Sequence, residues 1–232
     1  SIPENFMTKM TDQINPYKEL KKEDMYEYLS SCEGKKKAGS YTYSNFGMGL
    51  LGHIFELKYN DTYENIIKKE ICKKLGMDHT TITLEDEHIQ LLAQGYNQSG
   101  QPNPVWEDNV LTGAGAFLSN ALDMVKFIKA NLKEDKSSIS SSLVKTHINQ
   151  FNGDTGLGWH YSGSGEKFLG LNNIIWHSGI AGGYSSYIAI DKENNSGVIV
   201  LSNTANDVRN LGMKIMVLAS KLSFSPQVRG KK

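Results

Sequence analysis

Two short stretches of this 232-residue chain carry side chains that can do chemistry. In Tyr41-Thr42-Tyr43-Ser44-Asn45-Phe46-Gly47 a tyrosine and an asparagine stand two apart at the opening of a helix, where Ser44 or Asn45 can cap the first turn. Held there, both side chains can point into one cleft. A phenol carries protons when a nearby cation lowers its pKa, and an asparagine amide can hold a substrate carbonyl and N–H together. Read by itself, the stretch is a helix cap beside a core tyrosine. In Trp176-His177-Ser178-Gly179-Ile180-Ala181-Gly182-Gly183-Tyr184 a strand ends in a polar pair, followed by three glycines within five residues. Glycine lets backbone approach a ligand closely, and an exposed strand edge offers N–H and C=O groups to an extended substrate. Read by itself, this is a glycine-rich connection with an incidental histidine, one of six in the chain.

These residues need elements to position them. Leu50, Leu51, Ile54, Phe55 and Lys58 fit a helix with an apolar stripe running on from Asn45. A second helix starts at Asp61 or Thr62, with Glu64 placed as in a capping box, Ile67, Ile71 and Leu75 inward, and Gly76 as its stop. A third follows Ser119, with Leu122, Val125, Phe127, Ile128 and Leu132 inward. The serine-rich run Lys136–Ser142 reads as a connector or helix start. The last third changes character. Lys167–His177 reads as a hairpin turning at Asn172-Asn173, and Tyr184–Ile190 and Gly197–Leu201 as two antiparallel strands. Val208, Leu211, Ile215, Leu218 and Leu222 form an unbroken helical stripe, and such a helix is expected to lie on the sheet before it. Residues 1–150 thus read as a mainly helical lobe carrying Tyr43 and Asn45. Residues 151–232 read as an antiparallel sheet with a terminal helix, carrying His177, the whole forming one intimate two-lobed domain.

Composition narrows the partners. Lys and Arg number 25 and Asp and Glu 25, so no basic excess argues for nucleic acid. Apolar residues make up 39% with only 5 prolines, a globular composition. No apolar run approaches the ~20 residues of a membrane helix. The first twenty residues are polar and hold no signal-peptide core, which leaves the compartment open. Cys32 and Cys72 are too few for a disulfide scaffold or a metal pattern. His53, His79, His88, His147, His160 and His177 form no H-x-H or H-E-x-x-H pair, so no metal or cofactor is expected. Neither a G-x-S-x-G elbow nor a phosphate loop is present. Glu85-Asp86-Glu87 reads as a solvated loop, and Met77, Met124, Met213 and Met216 as core filler.

Taken together and in order, Y-x-N at 43–45 and H-S-G at 177–179 resemble the second and third motifs of the penicillin-recognising serine hydrolases. That family includes class C β-lactamases, D-alanyl-D-alanine carboxypeptidases and related esterases, with motifs S-x-x-K, Y-x-N and K-T-G. The flanking residues are similar too. Tyr43–His53 resembles the Y-S-N-x-G-x-x-L-L-G helix and Leu75–Thr80 the L-G-M-x-x-T segment. Gly113-Ala114-Gly115 with Ser119 resembles a turn before a helix, and Gly156-Leu157-Gly158-Trp159 a G-L-G-W strand. Gly182-Gly183-Tyr184 and Val200-Leu201-Ser202-Asn203 follow in order. The resemblance spans about Ser1 to Leu222 and implies a β-lactamase/transpeptidase-like fold of class α/β (α+β), whose N-terminal strands are missing here.

The resemblance also implies roles. Tyr43 is the proton-shuttling phenol, Asn45 binds the substrate amide, and His177 and Ser178 hold the substrate carboxylate and complete the proton network. Beside Gly179, the backbone N–H of Ile180 is one of two oxyanion donors, each worth ~3 kcal/mol of barrier. Two departures matter. His177 stands where the family has Lys, which replaces a permanent cation with a group mostly neutral above pH ~6.5 and tilts the balance toward ester or peptide substrates. The S-x-x-K motif, which lies well upstream of Y-x-N in the family, is absent; Ser1-Ile2-Pro3 matches the point just after the family's H-T-S-G-L-x stretch. Ser142–Lys145 and Ser164–Lys167 have its letters but fall between the other two motifs, one in a helix start and one in a glycine-rich turn, and read as decoys. The expected function is a serine hydrolase working through an acyl-enzyme on a β-lactam, a D-amino-acid peptide or a small ester, with this chain inactive alone. The alternative is a non-catalytic fragment or pseudo-enzyme that binds carboxylate-bearing peptides. The partners expected are a small-molecule or peptide substrate and the missing N-terminal segment, and the resemblance is compatible with an extracytoplasmic location.

Overall fold

In the computed structural model, residues 12, 14–32, 41–107, 110–132, 137–150 and 155–223 are described. The Ser1–Pro3 match and Lys136 lie outside them. Helix α1 (Lys22–Ser31) leads to α2 (Asn45–Tyr59), which Ser44 caps by accepting a hydrogen bond from the Gly47 N–H at 2.9 Å. The helix does not bury the stripe that its leucines predict. It turns Phe46, Gly49, Gly52 and His53 inward, whereas Leu51, Ile54 and Leu57 are exposed. The reason is close backbone packing: a Cβ on Gly49 would lie 2.5 Å from Leu111 Cδ2 and 2.8 Å from its Cα. The short helix that begins at Thr112 thus sits almost backbone-to-backbone on α2, and it holds the Tyr43–Asn45 end in place.

The next helical stretch starts where Thr62 accepts from the Asn65 N–H. It runs through α3 (Tyr63–Ile67), a π-helical turn at Lys68–Cys72 and α4 (Lys73–Leu75), and ends at Gly76 with φ 67° as expected. The π turn shifts the phase, so Ile66, Cys72 and Leu75 are buried while Ile67 and Ile71 are only partly so. Glu85-Asp86-Glu87 is exposed, and part of it opens a short helix, α5 (Asp86–Ile89), rather than a loop. After α6 (Thr112–Gly115) comes α7 (Ala121–Leu132). It buries Ile128 and Ala130 with two polar residues, Asp123 and Asn131, and leaves Leu122 77% exposed and Val125 outward, against the apolar pattern. Asp123 earns its place by accepting from the His79 N–H, the Thr80 hydroxyl and Lys126. Met77 and Met216 are buried, and Met124 and Met213 pack against the core.

Helix α8 (Ser140–Lys145) holds the first S-x-x-K decoy, with Ser142 and Lys145 both exposed. The strand predicted at Gly156–Trp159 is found just after that stretch, as β1 (His160–Tyr161). The second decoy sits in a short helix, α9 (Ser164–Phe168), not a turn, again with its Ser and Lys exposed. Asn172-Asn173 therefore makes no hairpin; it leads from α9 into β2 (Ile174–Ala181). β3 (Tyr184–Asp191) and β4 (Ser196–Ser202) complete an antiparallel sheet in the order β1-β2-β3-β4. Alternation along the strands splits the core between two faces. Ile174, Trp176, Tyr187, Ala189 and Val198 meet Met216 of α10 (Arg209–Ser223) on one face. Ile175 and Ile190 meet Ile128 of α7 on the other.

Helix α10 does lie on the sheet, but through the i, i+4 row Val208, Gly212, Met216 and Ser220. The leucine-rich stripe Leu211, Ile215, Leu218 and Leu222 faces away and is exposed. Gly212 decides this, because its bare Cα lets the helix settle onto the Tyr187 ring, while the Ser220 hydroxyl donates to Asp191 Oδ2 at 2.8 Å.

Candidate active site

Tyr43 stands just before the α2 N-terminus and is about half exposed. Its ring lies 6.3 Å from the His177 imidazole, with planes 28° apart. The two motifs, 134 residues apart in sequence (177 − 43), are thus brought face to face. Asn45, the first residue of α2, donates from Nδ2 to the Tyr17 hydroxyl at 3.4 Å. Tyr17 packs edge-on against Trp106, whose Nε1 donates to the Ile14 carbonyl at 2.6 Å. Asn45 is thereby anchored to residues that the motif reading did not single out.

His177 lies in β2 opposite Ile188, and Ser178, Gly179 and Ile180 follow opposite Tyr187, Ser186 and Ser185. The inner edge of β2 is therefore fully paired. Its outer edge is not: β1 pairs with β2 only at Ile175 and Trp176. From His177 to Ala181 that edge is open among the described residues. Gly179 and Ile180 are exposed there, Ile180 at 46%. The two-residue turn Gly182-Gly183 ends the strand. Gly182 has φ 56°, and a Cβ on Gly183 would strike the Tyr96 nitrogen at 2.5 Å. This turn lets the loop around Tyr96 pack against the end of the cleft.

The sequence reading missed His160. On β1 it sits opposite Trp176, and its ring lies 4.8 Å from Trp176, 5.3 Å from His177 and 6.4 Å from Tyr43. The signal was present, since His160 follows directly on the Gly156–Trp159 segment. Burial holds the His160 imidazole below its ordinary pKa, and the Arg209 guanidinium adds to this. His177 is lowered first by burial and then by His160, against a backbone hydrogen bond at Ser178 that raises it. Tyr41, whose ring meets His160 edge-on, is raised by burial and by Tyr43. The arrangement brings a phenol and two neutral-leaning imidazoles together beside an open strand edge, with the Asn45 amide held on Tyr17. It can accept and pass protons and can bind an extended, peptide-like ligand through backbone pairing.

Among the described residues, Glu85, Glu87 and His88 bring ligand atoms within 4.8 Å of one another, with both acids exposed at the start of α5. Among the described residues no helix is long and apolar enough to cross a membrane. Cys32 and Cys72 are free, the first exposed and the second buried.

The sheet covered by helices, on which the Tyr-x-Asn helix start faces the His-Ser-Gly strand, has the fold of the class C β-lactamases. The family model described as Beta-lactamase matches residues 3–220, and the chain belongs to that family. It is 23% identical over 192 residues to a β-lactamase of Pseudomonas fluorescens, covering 69% of this chain and 54% of that protein. It is 26% identical over 223 residues to the D-alanyl-D-alanine-carboxypeptidase/endopeptidase AmpH of Escherichia coli (strain K12), covering 87% of this chain and 56% of that one. A class C β-lactamase structure superposes with a TM-score of 0.75 at 22% identity, over 98% of this chain and 69% of that one, which establishes the β-lactamase/transpeptidase-like fold. The chain spans about half the length of these two curated relatives.

Proposed function

We propose that this chain is the Tyr43- and His177-bearing part of a serine hydrolase that works through an acyl-enzyme on a β-lactam, a D-amino-acid peptide or a small ester. The observation that carries this reading is the approach of the Tyr43 ring to His177 at 6.3 Å beside the open edge of β2. In such a reaction Tyr43 passes the nucleophile's proton toward the leaving group. Asn45 holds the substrate amide, His177 and Ser178 hold the far end of the substrate, and the Ile180 N–H stabilises the oxyanion with Gly179 giving it room. The nucleophile and its lysine come from a segment outside these residues, because both S-x-x-K matches sit on short exposed helices between the two motifs. Two apolar faces that are uncovered among the described residues support a domain that is completed by more chain. One is Leu51, Ile54 and Leu57 on α2, and the other is Leu211, Ile215, Leu218 and Leu222 on α10 beside the free β4 edge.

The test is covalent labelling. The chain alone is expected to take up neither a fluorescent penicillin nor a fluorophosphonate, whereas the longer native protein is expected to take up one stoichiometrically. Labelling of this chain at Ser142 would overturn the assignment of that motif as a decoy. In the longer protein Tyr43→Phe is expected to slow acylation by ~100-fold or more, the usual reach of a positioned proton carrier. An unchanged acylation rate removes Tyr43 from the mechanism. If the native gene encodes no upstream S-x-x-K, the non-catalytic peptide-binding reading replaces this one.

A further inference from the structure

The cleft contains a second imidazole that the Tyr-x-Asn and His-Ser-Gly motifs do not account for. His160 lies nearly parallel to His177, with 19° between the planes and 5.3 Å between the ring centres. Tyr43 closes the group, 6.4 Å from His160 at 20° and 6.3 Å from His177 at 28°. This placement is built rather than incidental. Register sets His160 opposite Trp176, and the indole backs its ring at 4.8 Å. Trp176 is itself held from behind, since the Arg209 guanidinium sits over its ring at 4.0 Å and Tyr187 stacks on it at 6.1 Å. Arg209 is pinned in turn by Glu166 at 2.8 Å.

We propose that His160 is a functional partner of His177: the two stacked imidazoles take up one proton between them, and that proton turns the cleft from neutral to cationic and so able to hold a ligand carboxylate. The inference rests on the reading of the cleft given above and deepens it, because it names the pH-gated ligand group.

The physics is direct. Two cations with ring centres 5.3 Å apart repel strongly in a half-buried cleft, so the first proton opposes the second. Among the described residues, the groups facing the pair are few. Tyr41 and Tyr43 come from the segment before α2, Arg209 from α10 across Trp176, Glu166 from α9 against Arg209, and Tyr187 from β3 behind Trp176. The one acid among them is committed to Arg209, so no free carboxylate in this set offsets a second charge. Burial holds both imidazoles below the ordinary histidine range, with Arg209 adding to the effect at His160 and His160 adding to it at His177. The site is therefore neutral at pH 8 and carries at most one charge in mild acid. A family lysine at position 177 is a permanent cation, whereas the histidine pair replaces it with a conditional one.

The experiment is an NMR titration of the histidine rings in the whole chain, wild type against His160→Gln. In the wild type the two rings are expected to titrate in two coupled steps, each ring sensing both. In the variant the His177 midpoint is expected to rise by roughly 0.5–2 pH units, the span given by one charge at 5.3 Å between watery and protein-like screening. An identical His177 midpoint in the two proteins overturns the partnership. So do two independent single-step curves in the wild type, a result that needs no folded variant.

A second arm reads the ligand, comparing N-acetyl-D-alanyl-D-alanine with its C-terminal amide at pH 5 and pH 8. The acid is expected to bind several-fold tighter than the amide at pH 5 and no tighter at pH 8, and in His160→Gln the preference is expected to persist to higher pH. Coupled titration with equal binding of acid and amide overturns the carboxylate assignment. Coupled titration with no binding of either removes the peptide-ligand reading of the cleft while the proton pair stands.

Discussion

Replacing Gly212 by alanine puts a methyl group where the structure has no room. The added Cβ would sit 2.1 Å from Tyr187 Cδ1 and 2.6 Å from its Cγ, well inside the ~3.5–4.0 Å of normal carbon contact. Tyr187 cannot yield easily, because it is fully buried and stacked on Trp176. Overpacking of this kind costs ~1–3 kcal/mol, and the severity of the clash favours the upper end. Alanine returns ~1 kcal/mol through helix propensity, leaving a net loss of ~2 kcal/mol. For a chain of this size that lowers the melting temperature by roughly 4–8 °C. Gly165→Ala is the matched control: it also lies in a helix, but a Cβ there meets nothing within 4 Å. It is expected to leave melting unchanged or raise it slightly. Differential scanning calorimetry of the two variants beside wild type decides the matter. A Gly212→Ala protein that melts at or above wild type would refute the claim that α10 is held by close approach at this glycine. Because Tyr187 backs Trp176 and Trp176 backs His160, the same variant is also expected to shift the His160 ring resonances, and Gly165→Ala to leave them in place.

Two further outcomes concern acid. Glu64 accepts hydrogen bonds from the Ile82 and Thr83 N–H groups and the Thr81 and Thr83 hydroxyls, and pairs with Lys68. Burial works against its charge, but these donors outweigh it and lower its pKa from 4.5 to about 2. A depressed carboxylate pKa stabilises the fold above 4.5 and loses that contribution as pH falls toward 2. Glu64→Gln should cost ~1–3 kcal/mol at pH 7 and flatten the melting profile between pH 4.5 and 2; an unaltered profile counts against the network. His147 is buried and bonded through Nε2 to Asn131 Oδ1 at 2.8 Å. Burial, then Lys192, lower its pKa from 6.5 to about 4. Its neutral form is favoured in the fold, so stability is complete above pH 6.5 and declines as pH falls toward 4. Equilibrium urea unfolding at stepped pH is expected to show that decline in wild type and a weaker one in His147→Gln.

Element existence was largely legible because it follows from local chemistry. Ser44 caps α2, Thr62 caps α3, Gly76 stops α4 with a positive φ, and β3 and β4 pair as their alternation implies. Facing was not. On α2, α7 and α10 the sequence pattern pointed leucines inward, but Leu51, Leu122, Leu211 and Leu218 are exposed and each helix buried a row containing glycine or a polar residue, with Ile128 and Val208 inward as expected. Apolar periodicity cannot register a backbone contact such as Gly49 on Leu111. Nor can it register a buried carboxylate such as Asp123, whose partners His79 and Thr80 lie more than 40 residues back in the chain.

The sequence by itself determined the family, through the order and spacing of the motifs at 43–45 and 177–179, and the helices and strands that bear them. It also named the chemistry available, since a phenol, an amide, an imidazole and a glycine-opened edge are properties of residue types. Only the tertiary structure decided that the Tyr43 phenol meets the His177 imidazole beside that edge, and that His160 joins them from a two-residue strand. The reason is geometric. The electrostatics of an imidazole depend on what lies within a few ångströms of it, and those neighbours are set by strand register and helix packing between segments far apart in the chain.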